Sequence, residues 1–392
     1  MKLIELLLMA RSHDALDLAT GTPSLPVTSD LLIEAAVDAL RDGHNQYANT
    51  AGVQKLRELA AAVHGADAET EITITAGSTE AINTALQTVV QPGDQVVLFD
   101  PGFESYAAAV RLAGGECRFV GLRAKGWTWR DEELERAFGP RTAAVVLNSP
   151  HNPTGRVFSA AELDRIAQLC ERWNCVVISD EVYADFYFGQ GDAVLPSNHP
   201  ALAGRVVGIR SMSKSHAVSG WRIGWMYAPA ALTAHLRLVH ETMTTGVCAP
   251  LQVALGNAPV PLTGLSAQDQ VTLRSNRAKL LDALTPLGFE CTVPEGACFM
   301  WCRIPGHLGL SADAFCRAMI TDTGVAAAPG SLFFANPASG DDLIRLSFNK
   351  SPEVIDRAVG RLTASRLLAP EVPDVPAPHA APTRRMAVLS GR

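Results

Sequence analysis

The chain has 392 residues, enough for a large packed unit and a smaller second one. Hydrophobic residues make up 47% and charged residues 19%, which excludes a chain that is disordered throughout. A formal net charge of −7 argues against a nucleic-acid binder held by a basic surface, and eight scattered cysteines with no C-x-x-C pair argue against a disulfide framework or a zinc cluster.

The chain opens with an apolar run, Leu6 to Met9, that is too short for a membrane span and carries no small-residue cleavage site. A short helix packed on the body of the protein is expected, in a cytoplasmic protein. Between about residues 70 and 230, apolar runs alternate with amphipathic stretches. The runs are Glu71–Thr75, Gln95–Asp100, Ala143–Asn148, Cys175–Asp180, Val206–Arg210 and Ile223–Ala228. Their continuous hydrophobicity predicts strands covered on both faces, hence an α/β fold with a mostly parallel open sheet flanked by helices. Functional residues should then gather at the carboxyl ends of those strands.

Ile74-Thr-Ala-Gly77-Ser78-Thr79-Glu80 reads as a strand entering a helix that Pro92-Gly93 ends. Free N–H groups at such a helix start suit a phosphate, although small residues are common at any such junction. Asn148-Ser-Pro-His-Asn152-Pro153-Thr-Gly155 is a tight loop after a strand, able to aim the Asn152 amide at one point or simply to turn the chain. Ser159-Ala-Ala-Glu162 is a capping box opening a helix that runs to about Trp173. Val176-Val-Ile-Ser-Asp180-Glu-Val-Tyr183 ends a buried strand on an acid, suited to hold a protonated ring nitrogen or to cap a helix.

Ser211-Met-Ser-Lys214 follows the next strand and leads to Gly220-Trp-Arg222. A desolvated lysine there is a usable amine nucleophile toward an aldehyde, with the hydroxyls of Ser211 and Ser213 and the Arg222 fork near a phosphate. Taken alone, Lys214 also fits a solvated surface loop. After about residue 265 the character changes. A helix near Val271–Leu284 and strands near Cys298–Arg303 and Leu343–Ser347 predict a smaller α+β unit. Arg345, in the last of these, suits a bidentate clamp on a carboxylate. The Pro/Ala-rich end has no apolar periodicity and is expected to be a disordered tail. The expected division is residues 31–260 as the large unit, 1–30 with 261–366 as the small one, and 367–392 as the tail.

Each signal is modest alone, and their joint order is informative. The segments GSTEA, DPGFESY, NSPHNPTG, ISDEVY, SMSKSHAVSGWRIGW and IRLSF make the chain resemble the fold type I class I/II aminotransferases across roughly residues 15–365. The text is most similar to their methionine, kynurenine and glutamine transaminase branch. The resemblance implies pyridoxal 5′-phosphate held as a Schiff base on Lys214, which also shuttles a proton. It implies Asp180 at the pyridine nitrogen, Asn152 and Tyr183 at the phenolate oxygen, and Phe103 stacked on the ring. Gly77, Ser78, Thr79, Ser211 and Arg222 would surround the phosphate. Arg345 would clamp the substrate carboxylate, with Asn152 and the Gly21 backbone at the same end. Tyr47 resembles a tyrosine that reaches the neighbouring subunit's phosphate, which implies a homodimer.

Two departures bear on specificity. Gly21-Thr-Pro23-Ser-Leu-Pro26 replaces the aromatic-bearing G-x-P-D-F pattern, and Gly246-Val-Cys248-Ala-Pro250 carries small residues where bulkier ones are usual. Both imply a roomier side-chain pocket. The expected reaction is ping-pong transamination of a neutral, aromatic or specialised L-amino acid with a 2-oxo acid, with no metal. β-Elimination or oxidation on the same scaffold stays open as an alternative. A regulator of the type that joins this fold to a DNA-binding region is disfavoured by the acidic charge and by the start of the resemblance near residue 15. Glu104 and Asp185, near the cofactor motifs, could instead suit a basic side chain or simply be solvated.

Overall fold

The computed structural model describes residues 3–123, 126–191 and 193–369. The N-terminal part contains α1 (Leu3–Ser12), β1 (Leu16–Asp17), α2 (Asp30–Arg41) and α3 (Gln54–His64). An alternating series follows: β2 (Ile72–Thr75), α4 (Gly77–Val89), β3 (Gln95–Asp100), α5 (Ser105–Leu112), β4 (Glu116–Gly121), α6 (Asp131–Ala137), β5 (Thr142–Asn148) and α7 (Ala160–Trp173). Next come β6 (Val176–Asp180), β7 (Val206–Ser211), the single turn α8 (Met212–Ser215), β8 (Gly224–Tyr227), α9 (Ala230–Thr244) and α10 (Ala249–Asn257). The last part holds α11 (Ala267–Leu284), β9 (Glu290–Thr292), β10 (Phe299–Arg303), α12 (Ala312–Thr323), β11 (Val325–Ala326), β12 (Ala328–Pro329), β13 (Leu343–Ser347) and α13 (Pro352–Thr363).

Seven strands form one sheet in the order β2-β8-β7-β6-β5-β3-β4. The pairs from β4 through β7 are parallel, and only β8 runs antiparallel to its two neighbours. Alternation along the strands explains the continuous apolar runs, because successive side chains enter different cores. Val97, Val145 and Val177 face a core shared with Phe299, Trp301 and Ile344. Val96, Val146 and Ile178 face the opposite side with Ile82 and Leu236 from α4 and α9. Each such buried side chain contributes about 1.5–3 kcal/mol.

A second, antiparallel sheet has the order β12-β13-β10-β9, and β1 pairs in parallel with β11. The helix from Ser159 is present as read, with both halves of its capping box formed and its end at Trp173. The edge strand β4 was not anticipated. Glu116, Arg118 and Phe119 are exposed, so its sequence carries no continuous apolar run. The tail expectation needs correction at its start, since Leu368 is fully buried and its N–H donates to the Ser365 hydroxyl. Residues 370–392 lie outside the described residues. Among the described residues no helix is long and apolar enough to cross a membrane.

Candidate active site

Strand register sets the site. Asn148 at the end of β5 pairs with Asp180 at the end of β6, and β7 ends alongside at Ser211. The loops leaving these strands, the start of α4 and the end of β13 enclose a cavity of about 220 Å³. Gly21, Ser78, Thr79, Phe103 and Asn152 line it, as do Asp180, Tyr183, Lys214, Arg222 and Arg345. The structure thus brings ten of the thirteen expected residues to one cavity.

The other three lie elsewhere. Gly77 starts α4 behind Arg222. The Ser211 hydroxyl accepts from the Ser213 N–H at 3.1 Å, capping α8, and lies 3.0 Å from the Ile223 carbonyl, while Ser213 lines the cavity. Tyr47 is 87% exposed and borders a separate groove with Gly246–Pro250.

At one end Ser78 and Thr79, in the first turn of α4, line the cavity, where a helix leaves its first N–H groups without partners of its own. Gly77 has φ +78°, and a Cβ there would sit 2.5 Å from Arg222 Nη2, so only glycine lets the guanidinium lie this close. Arg222 donates to the carbonyls of Ser219 (2.9 Å) and Ala76 (3.3 Å). The cup is braced beneath by Glu80, which accepts from the Ala76 N–H at 3.1 Å and faces buried His240 at 3.0 Å.

In the middle stands Asp180, 4% exposed. Its Oδ1 accepts from the Val182 N–H at 3.3 Å and its Oδ2 from the Tyr106 hydroxyl at 2.6 Å. Burial pushes its carboxyl up to about 6, against the pull of these two bonds. Burial also holds Tyr106 protonated, well above the ordinary tyrosine range, so its hydroxyl is the donor. Tyr106 was not expected here. In sequence it is only the residue three after Phe103, whose ring it meets edge-on at 5.5 Å. Tyr183 is likewise buried and protonated, packed edge-on against Phe299 at 5.4 Å.

Lys214 occupies α8, and its amine donates to the Gly21 carbonyl at 3.1 Å. Burial lowers its basicity first, and the cations of Arg345, Lys350 and Arg222 lower it further against an opposing effect of Cys298. Gly21 fits tightly here too, as a Cβ on it would meet Phe299 at 3.0 Å.

At the far end Arg345 is 5% exposed, with its guanidinium between the rings of Phe299 (4.2 Å) and Phe333 (4.6 Å). It donates to Asn152 Oδ1 and to the Ala19 carbonyl, each at 2.7 Å, and its Nε is buried without a partner among the described residues. The bond from Arg345 fixes the Asn152 amide with its NH₂ free to donate. Leu3 of α1, Leu332 and Phe333 add an apolar wall, and Glu104 stands among the lining residues.

The chain matches the aminotransferase class I and II family over residues 13–362. It is 34% identical over 362 residues to a methionine aminotransferase of Escherichia coli, covering 90% of this chain and 93% of that one. It is 33% identical to an arginine–pyruvate transaminase of Pseudomonas aeruginosa, covering 91% and 92%. The solved structure of N-succinyldiaminopimelate aminotransferase from Mycobacterium tuberculosis superposes with a TM-score of 0.85 at 35% identity, covering 93% and 96%.

Proposed function

The chain belongs to the class I and II aminotransferases, enzymes that transfer an amino group with pyridoxal 5′-phosphate, and we propose that the cavity around Lys214 is where it does so. The donor set fits that cofactor. It offers a basic cup at a helix start for a phosphate, a buried carboxylate for a ring nitrogen, amide and phenol donors for a phenolate oxygen, and a buried amine. When bound, the cofactor supplies an electron sink that stabilises negative charge at the donor Cα.

The chain's own groups do the rest. Ser78, Thr79, Ser213 and Arg222, with the free N–H groups at the start of α4, bind the phosphate. Asp180 holds a proton on the ring nitrogen, and Tyr106 holds Asp180. Asn152 and Tyr183 donate to the phenolate oxygen, and Phe103 covers the ring. Arg345 orients the substrate carboxylate through its free edge. Lys214, its basicity lowered by burial, would take the proton from the donor Cα. The two halves of the reaction use one site in turn, giving ping-pong kinetics.

The donor we favour is an L-amino acid with a neutral, apolar or aromatic side chain. The observation that carries this is the wall of Leu3, Leu332 and Phe333 beside the Arg345 clamp. Glu104 in the same lining favours a second reading, a donor with a cationic side chain. Half-reaction rates with methionine, glutamine, phenylalanine, arginine, glutamate and aspartate separate the two. The first reading expects methionine or phenylalanine to lead. Arginine ahead of both supports the second, and exclusive use of glutamate and aspartate refutes both.

We also read the enzyme as a cytoplasmic homodimer. Ile33, Val37 and Leu40 of α2 are exposed and fall on one side of the helix by its periodicity, an apolar face suited to a second copy. Residues 31–260 would form the cofactor-carrying unit, with 1–30 and 261–366 as the second. Light scattering that returns a monomer mass for the cofactor-bound enzyme would overturn the dimer.

A further inference from the structure

Residues 19–25 form a strap without regular secondary structure, and its Thr20 and Gly21 line the cavity. What fixes the strap is the chain just after β13. Asn349 Nδ2 donates to the Gly21 carbonyl at 3.2 Å, and Lys350 Nζ donates to the Thr22 carbonyl at 2.8 Å. The Asn349 carbonyl accepts from the N–H groups of Ser24 (3.0 Å) and Leu25 (3.2 Å). Asn276, buried in α11, holds this latch from behind by donating to the carbonyls of Phe348 and Lys350. The Gly21 carbonyl therefore receives two donors, Asn349 from the latch and Lys214 from the cavity.

Lys350 is an unusual residue to find in that place. It is 5% exposed, and among the described residues no carboxylate lies within ion-pair distance of its amine. A buried, unpaired ammonium is costly, and an apolar side chain of similar volume serves stability as well or better. Packing therefore gives no reason for a lysine here, whereas its neighbour across the strap does.

We propose that Lys350 and Asn349 are positioning residues for Lys214: they latch the Gly21–Thr22 strap to the end of β13 and so fix the carbonyl on which the Lys214 amine rests. This rests on the reading of Lys214 as the lysine that carries the cofactor. The latch also sets a second amine near Lys214, its own basicity lowered by burial and raised by Asp17, and when both are protonated each disfavours the other's charge. The other charged or titratable groups that line the cavity with Lys214 or act on it are Glu104, Tyr106, Asp180, Tyr183, Arg222, Cys298 and Arg345. Against that background, removing Lys350 leaves Lys214 easier to protonate and the strap beside its acceptor held by Asn349 alone.

The test uses the apo-protein as wild type, Lys350→Met and Lys350→Arg. The rate at which each captures added pyridoxal phosphate is followed by visible absorbance across pH, with the modified lysine identified after borohydride reduction. Capture needs the neutral amine. In Lys350→Met the midpoint should move up by about one pH unit, a roughly tenfold slower capture at neutral pH. Turnover should lose kcat more than it raises KM, with an apo-protein melting point close to wild type. Lys350→Arg should restore the midpoint. An unmoved midpoint with unchanged kcat in Lys350→Met overturns the proposal.

If Lys350→Met does not fold, Asn349→Ala carries the test. It removes one donor from the Gly21 carbonyl, and the latch requires kcat to fall roughly tenfold, comparable to the loss of a hydrogen bond or two. Unchanged kcat there overturns the proposal as well. Label on a lysine other than Lys214 in the wild type refutes the functional reading itself, which is a different failure.

Discussion

Replacing Tyr106 with Phe removes one hydroxyl and leaves the ring against Phe103, which isolates the bond to Asp180. That bond is 2.6 Å long, buried, and made to a group that must carry charge. Bonds of this kind contribute about 1.5–3 kcal/mol, and one pH unit corresponds to about 1.36 kcal/mol, so its loss raises the Asp180 carboxyl by roughly one to two units. The direction follows from the chemistry. Tyr106 stabilises the ionised carboxylate, and burial has already pushed the carboxyl up to about 6. The ionised form is needed to hold a proton on the ring nitrogen, so activity falls as pH drops through that value. In Tyr106→Phe the same fall should occur one to two units higher, reaching neutral pH. The assay is kcat/KM for the best donor measured across pH, with Tyr106→Phe melting within a few degrees of wild type. An acid limb that superimposes on the wild-type limb would refute the reasoning, because Asp180 would then be held by something else.

Other outcomes follow from the same geometry. Lys214→Ala should lower transamination by at least roughly a thousandfold while still binding the cofactor non-covalently, which dialysis and steady-state assay check together. Arg345→Lys should lower kcat/KM by roughly two orders of magnitude, since a lysine cannot clamp a carboxylate with two parallel bonds and also hold Asn152 in place. Gly77→Ala should weaken cofactor retention about tenfold or more, read by fluorescence titration, because the new methyl displaces Arg222 and the backbone there has φ +78°. Ser159→Ala should remove about 1 kcal/mol of stability by breaking the capping box of α7, with kcat unchanged, read as a lowered melting temperature.

Much of the site was legible because its residues sit at the ends of short, continuously apolar strands. Asn148 and Asp180 mark two of those ends in the sequence and the parallel register pairs them, while the run that closes at Arg210 leads into Ser211 alongside. The tight loop through Asn152 and the helix start at Gly77 announce themselves through glycine and proline. What could not be read depends on contacts between distant segments. Tyr106 reaches Asp180 across 74 residues, and Lys350 reaches Thr22 across 328, with no local pattern to mark either. β4 escaped notice because an edge strand with one covered face needs no apolar run. Leu368 looked like part of a Pro/Ala-rich tail, yet it fills the core near α13 because two apolar residues before Ala369 suffice to bury a final turn of chain.

The most direct test of the account is the visible spectrum of the purified enzyme before and after borohydride, followed by peptide mapping. The expected result is an absorbance band from bound cofactor, a reduced pyridoxyl group on the peptide containing Lys214, and conversion of the unreduced band by an amino-acid donor with keto acid released. No band after added pyridoxal phosphate, or a label carried by another lysine, would contradict it.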